Sequence, residues 1–295
     1  MLKECLDIFE SCYTQEGDHL ITDSYVPAPG TYLLVNTKGN VIKKMEIPKA
    51  KEFEPLRSEF ETFVNKDYTS KLVAMSKPID KRKVVHSNNL YTFWVKKDSL
   101  KPDEKGKTKL TPDIIDGYYA LLKQPEEKYK SKKKSLELYK KMEEKLGIPD
   151  PGVIEANKKW ILDHIFSLLD DLEIEKDKNY LKVFFEASDE VYERESERYL
   201  IPNIYNTTEY NQEINSKVIG LPNDNMGMNS KKPFLKNKSR KNVIPYLIDT
   251  HDVLMQKKFF DFLENQVSMK KTNAYIGRDT SGKPSVSVIT DRESQ

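Results

Sequence analysis

The chain of 295 residues reads as an α+β protein: a mixed N-terminal α/β domain with small antiparallel sheets and a helical insertion. Three observations predict this class. A hairpin pattern lies near the start, apolar residues recur at spacings of three and four between 111 and 172, and β-like tracts return at 179–187 and 285–290. The expected division is 1–105 for an N-terminal α+β unit, 106–175 for the helical insertion and 176–295 for a further α+β unit.

The elements follow in order. Residues 2–13 place Leu2, Leu6, Phe9 and Tyr13 on one helical face, and Gly17-Asp18 ends that helix. TYLLV (31–35) and VIKKMEI (41–47) flank the turn formers Asn36, Gly39 and Asn40, which predicts a hairpin. Phe53, Leu56, Phe60 and Phe63 behind Pro55 predict a helix over 54–65. KLVAM (71–75) reads as a strand, as do short tracts at 84–85 and 90–95, separated by the turn chemistry of Ser87, Asn88 and Asn89. A charged linker (98–110) precedes the helical part, where Thr111-Pro112-Asp113 starts a helix over 112–123 and Asp150-Pro151 starts one over 151–172. Between them 126–146 reads as a single Lys-rich helix. Then come a strand (179–187), a charged helix (189–199), a strand near 217–221, an amphipathic helix (249–267) and a closing hairpin.

Composition narrows the function. With 12 Phe and 16 Tyr the chain can bury a core, and its net charge of +2 confines any nucleic-acid surface to a local patch. Cys5 and Cys12 are seven residues apart on one helical face, too distant to bridge each other, and read as two buried free thiols. No run approaches eighteen apolar residues and the N-terminus carries acids, so a soluble, cytoplasmic protein with no membrane partner is expected. Nucleotide-binding glycine motifs, CxxC, HExxH and GxSxG are all absent, which points away from catalysis and from any cofactor or metal.

One stretch stands apart. Between Asp224 and Asp249 there is no acid, and Lys231, Lys232, Lys236, Lys238, Arg240 and Lys241 put six cations into eleven residues. The amides Asn223, Asn225 and Asn229 and the thioethers Met226 and Met228 lie just before them, on a basic loop spanning 220–242. Cations grip phosphates whatever the sequence, whereas amides can read base edges. The bland alternative is a solvated surface loop. Two further basic runs are Lys77, Lys81, Arg82 and Lys83, and Lys128, Lys130, Lys132, Lys133 and Lys134; glutamates dilute the second.

Four segments, MLKECLDIF, DSYVPAPGTYLLV, KVVHSNNLYTFWVKK and GLPNDNMGMNSKKPFLKNKSRK, together resemble the large (signature) subunit of type I-B CRISPR surveillance complexes, or Cascade. That family's proteins are usually longer and end in a helical bundle, so the chain is expected to be an N-terminal portion or a shortened product. The resemblance implies a non-catalytic role in antiviral defence. Such a subunit contacts the 5′ handle of the CRISPR RNA and inspects the protospacer-adjacent motif on double-stranded target DNA. It assembles with other Cascade subunits, helps to open the strands, and a separate nuclease-helicase is recruited to cut. Protein reads the motif while base pairing reads the target. It further implies motif reading or wedging by Asn223, Asn225, Met226, Met228 and Asn229, and backbone contact by the cations from Lys231 to Lys241. His86, Ser87, Asn88 and Asn89 become RNA or DNA contacts, with Lys81, Arg82 and Lys83 beside them. Two other classes compete: a metal-dependent phosphohydrolase or nuclease centred on His251-Asp252, and a protein–protein adaptor whose basic loop binds an acidic partner.

Overall fold

The computed structural model describes residues 2–48, 57–72, 77–175, 177–205, 208–222 and 247–289. Helix makes up about 48% and strand about 19%, in separate tracts, so the protein belongs to the α+β class. Two compact units form: Pro27–Asn203, and a second made of Met1–Val26 with Ile204–Gln295. These cut across the predicted division at 105 and 175, because the strand after the helical part returns to pair with the first hairpin.

In the unit Pro27–Asn203 the sheet consists of β1 (Gly30–Val35), β2 (Val41–Ile47), β3 (Thr92–Lys96) and β4 (Tyr180–Phe185), in the order β2-β1-β4-β3. β1 runs antiparallel to β2 but parallel to β4, so this sheet is mixed rather than purely antiparallel. Strand alternation splits its side chains between two layers. Leu33, Val183 and Phe93 form a row on one face and join the core with Ile115, Tyr119 and Ile161 of the helical layer. Tyr32, Lys182 and Trp94 form the next row, on the other face. There the helix Arg57–Thr69 supplies Phe60 and Phe63, whose rings lie 5.3 and 5.7 Å from that of Tyr32. With both faces covered, β1 is buried from end to end, as a parallel strand requires.

The second row carries a charge. Lys182 is 3% exposed and donates to the fully buried Asp67 at 2.5 Å, with its ammonium 4.0 Å from the Trp94 ring and 4.8 Å from that of Tyr32. Burial pushes Lys182 down to about 8, and Asp67 opposes that fall. The pair is a polar pin through an apolar layer.

The helical layer begins as its signals predict. Helix Pro112–Lys123 starts at Thr111, and in helix Pro151–His164 Asp150 accepts from Gly152 N and Val153 N at 2.8 and 3.2 Å. Two expected long helices are broken. The tract 126–146 is split into Glu126–Tyr129 and Lys133–Leu146, because Lys132 leaves helical geometry and Tyr129 folds back to stack on Tyr139 at 5.6 Å. The tract 151–172 stops at His164, where the tight bond from Ser167 N to His164 O replaces the helical ladder, and Leu168–Asp171 forms a separate turn. KLVAM yields no described strand: Lys71 and Leu72 are irregular and the remainder lies outside the described residues. Val85 makes only an isolated bridge to Val95.

The other unit joins the opening helix Leu2–Glu16 to the helix Thr250–Ser268 around Phe9, whose ring lies 5.2 Å from that of Phe259 and 5.8 Å from that of Phe262. Lys258 donates to Asp18 at 2.7 Å and to the Tyr13 hydroxyl, tying the two helices on their polar side. A small sheet β5 (Gln212–Ile214), β6 (Lys217–Gly220), β7 (Ile248–Asp249) and the hairpin β8 (Asn273–Arg278), β9 (Pro284–Ile289) complete it. Cys12 is buried as expected, but Cys5 is only half-buried, on the edge of the helix face. Among the described residues no helix is long and apolar enough to cross a membrane.

Candidate nucleic-acid interface

The expected tip and stem of the basic loop, Asn223, Asn225, Met226, Met228, Asn229, Lys231, Lys232, Lys236, Lys238, Arg240 and Lys241, lie outside the described residues. Its base is described. β6 and β7 are antiparallel neighbours, with Gly220 opposite Ile248 and Ile219 opposite Asp249, so the chain leaves and returns side by side. Tyr205 closes this base: its hydroxyl lies 2.8 Å from Val218 O and 3.3 Å from Ile248 O, and its backbone bridges Pro222. Gly220 is required there, since a Cβ would stand 2.5 Å from Asn211 Oδ1 and 2.6 Å from the Tyr205 ring.

In the unit Pro27–Asn203 the two remaining basic runs, far apart in sequence, meet. Lys128 donates to the carbonyls of Lys77 and Pro78 at 2.9 and 2.5 Å, which docks the short helix Glu126–Tyr129 against the turn 77–83. Asp80 builds that turn by accepting from the backbone N–H groups of Arg82, Val84 and Val85. Lys83 sits at φ +60°, turning the chain so that Lys81, Arg82 and Lys83 are all exposed. Lys132 is exposed on the other side of the junction. None of these four is paired with a carboxylate among the described residues, whereas Lys130 pairs with Glu127 at 3.2 Å. Burial, and then the fields of Lys132, Lys77 and Lys81, push Lys128 down to about 7. Burial is the larger cause, and the neighbouring cations add to it.

The tetrapeptide 86–89 divides in two. Ser87, Asn88 and Asn89 are buried. The Ser87 hydroxyl donates to Thr92 O at 3.2 Å and accepts from Trp94 N at 3.3 Å, while Asn89 donates to Tyr192 O at 2.8 Å and accepts from Tyr91 N at 3.0 Å. Ser87 and Asn89 hold the approach to β3, while the buried Asn88 Oδ1 has no hydrogen-bond partner among the described residues. His86 is half-buried behind the basic turn. Its Nε2 lies 3.0 Å from Lys83 O and its Nδ1 3.1 Å from the Tyr180 hydroxyl. A carbonyl only accepts, so Nε2 carries the proton and Nδ1 accepts from Tyr180. Burial depresses the His86 pKa, consistent with this neutral tautomer. His86 therefore braces Lys83 from beneath.

At the rival site, His251 Nε2 lies 2.7 Å from Glu10 Oε1, and the Asp252 backbone is capped by Asp249. Among the described residues no three His, Cys, Asp or Glu side chains converge as metal ligands. Sequence reasoning finds no separate role for Lys128; the signal was the spacing of two acid-poor runs, which only the fold brings together. Comparison with protein-family models, curated proteins and solved structures finds no match to this chain.

Proposed function

We propose that the chain is a non-catalytic, cytoplasmic nucleic-acid-binding subunit of a type I-B CRISPR surveillance complex. In this reading it contacts the CRISPR RNA handle and target duplex, and leaves cleavage to the recruited nuclease-helicase. The observation that carries the binding half is the ridge where Lys81, Arg82, Lys83 and Lys132 stand exposed and, among the described residues, without acidic partners around Lys128. Unpaired cations at this density are suited to a polyanion. The resemblance of the four segments supports the choice of complex, and the closed base at Tyr205 supports a basic loop presented from one point.

The test is binding to short duplexes over a salt series. Replacing Lys81, Arg82 and Lys83 together by Ala should weaken binding to every sequence and reduce the salt slope by about 0.9 for each phosphate that is no longer neutralised. Asn225→Ala or Asn229→Ala should instead cost about 1–3 kcal/mol on motif-bearing duplex alone. Unchanged affinity and slope in the triple variant would remove the ridge from the interface. Purification without RNA or neighbouring Cascade proteins would count against the complex.

A further inference from the structure

At the carboxyl ends of β1 and β4 the unit Pro27–Asn203 opens into a cleft of about 290 Å³, a position where sheets with parallel strands commonly bind ligands. Its walls are aromatic: Tyr91, Trp160 and Phe185. Among its polar groups are two acceptors, Asn157 and Glu186. Asn157, only 8% exposed, commits its amide nitrogen to Leu90 O at 3.0 Å, which leaves Oδ1 without a partner among the described residues. Glu186, exposed at the rim, receives a single weak bond from Thr37 N at 3.4 Å. The adjoining helix start is not an anion site, because Asp150 already takes the N–H groups of Gly152 and Val153.

We infer that this cleft takes a planar, amino-bearing nitrogen heterocycle, an adenine- or cytosine-type base. It would lie against the Tyr91 and Trp160 rings, with its exocyclic amine donating to Asn157 Oδ1 and Glu186. Flat faces satisfy the walls. An amine satisfies the acceptors, and phosphate is disfavoured beside Glu186 and Asp150. The base can come from a free nucleoside or from an unpaired position in a strand. This site stands apart from the cationic ridge and does not depend on the ridge binding duplex.

Calorimetric titration of the full chain with adenosine, cytidine, uridine and a short oligo-dA strand decides it. Adenosine or cytidine should bind saturably and uridine should not. Glu186→Gln should weaken binding about tenfold or more through loss of a charged acceptor. Ala156→Phe, which fills the cleft from an exposed lining position, should abolish it while leaving duplex binding unchanged. Binding of oligo-dA alone, still abolished in Ala156→Phe, assigns the base to a strand; binding of the nucleoside assigns a free ligand. The inference is overturned by no binding from any of them, by uridine binding as well as adenosine and cytidine, or by both variants behaving as wild type. Replacing Lys81, Arg82 and Lys83 should leave the nucleoside titration unmoved, so failure of this site and failure of the ridge read differently.

Discussion

Lys128 shows how one side chain can be both structural and responsive. Held at about 7, it is half-protonated near neutrality, yet its neutral amine still has N–H groups for the carbonyls of Lys77 and Pro78. An unfolded lysine titrates near 10.4, so between pH 7 and about 10.4 the unfolded chain holds a proton that the folded one lacks. Stability from this residue therefore rises with pH across that window, and the burial cost is complete below it. A phosphate on the ridge pulls the other way, favouring the charged form. Duplex affinity at fixed salt should thus fall between about pH 6 and about pH 8.5, by up to one proton's linkage, about tenfold per pH unit at most. Lys128→Met should flatten that slope; an equal slope in the variant would place the titration elsewhere. Polarity alone misleads at the neighbouring residues. Ser87, Asn88 and Asn89 look like surface chemistry in sequence, but all three are buried, and the contact of Asn89 with the distant Tyr192 O is one that no local pattern reveals.

At the scale of elements, local signals are legible in the sequence and long-range ones are not. Thr111-Pro112 and Asp150-Pro151 start helices because their chemistry acts within one turn, and Asn36 and Gly39 shape the hairpin loop for the same reason. The breaks near Lys132 and Ser167 depend on side chains that fold back, such as Tyr129 onto Tyr139, and periodicity carries no trace of them. The pairing of β1 with β4 depends on one glycine. Gly30 has φ +150°, and a Cβ there would stand 2.2 Å from Tyr180 O at the first rung of the parallel ladder. Gly30→Ala should therefore force the strands apart and cost more than an ordinary surface change, on the order of 3 kcal/mol by analogy with strained or overpacked sites. Chemical denaturation measures this, and a loss below about 0.5 kcal/mol would show that the strand start yields freely.

For the whole molecule, the fold class is legible because helical and β-like tracts are segregated along the chain, but the unit boundaries are not. The opening helix gives no local hint that its apolar face meets residues of the helix Thr250–Ser268, and the linker chemistry of 98–110 falls inside a unit rather than between units. The unit Pro27–Asn203 contains its own two-layered core, the ridge and the cleft. Expressed alone, residues 27–203 should unfold in one cooperative transition and keep salt-dependent duplex binding. A fragment of 1–203 should gain no stability from its first 26 residues, since Phe9 then lacks Phe259 and Phe262. Non-cooperative melting of 27–203 would mean that the unit needs the rest of the chain.

The parallel seam also sets a schedule for synthesis. β1 can zip onto β2 as soon as the hairpin emerges, but its other edge has no partner until Tyr180 and the residues after it have been made. Through that interval an apolar strand waits with one row of amides and carbonyls open, a template for any second copy nearby. The nascent chain is most exposed to mispairing while the helical layer is being translated, and release comes with the arrival of β4.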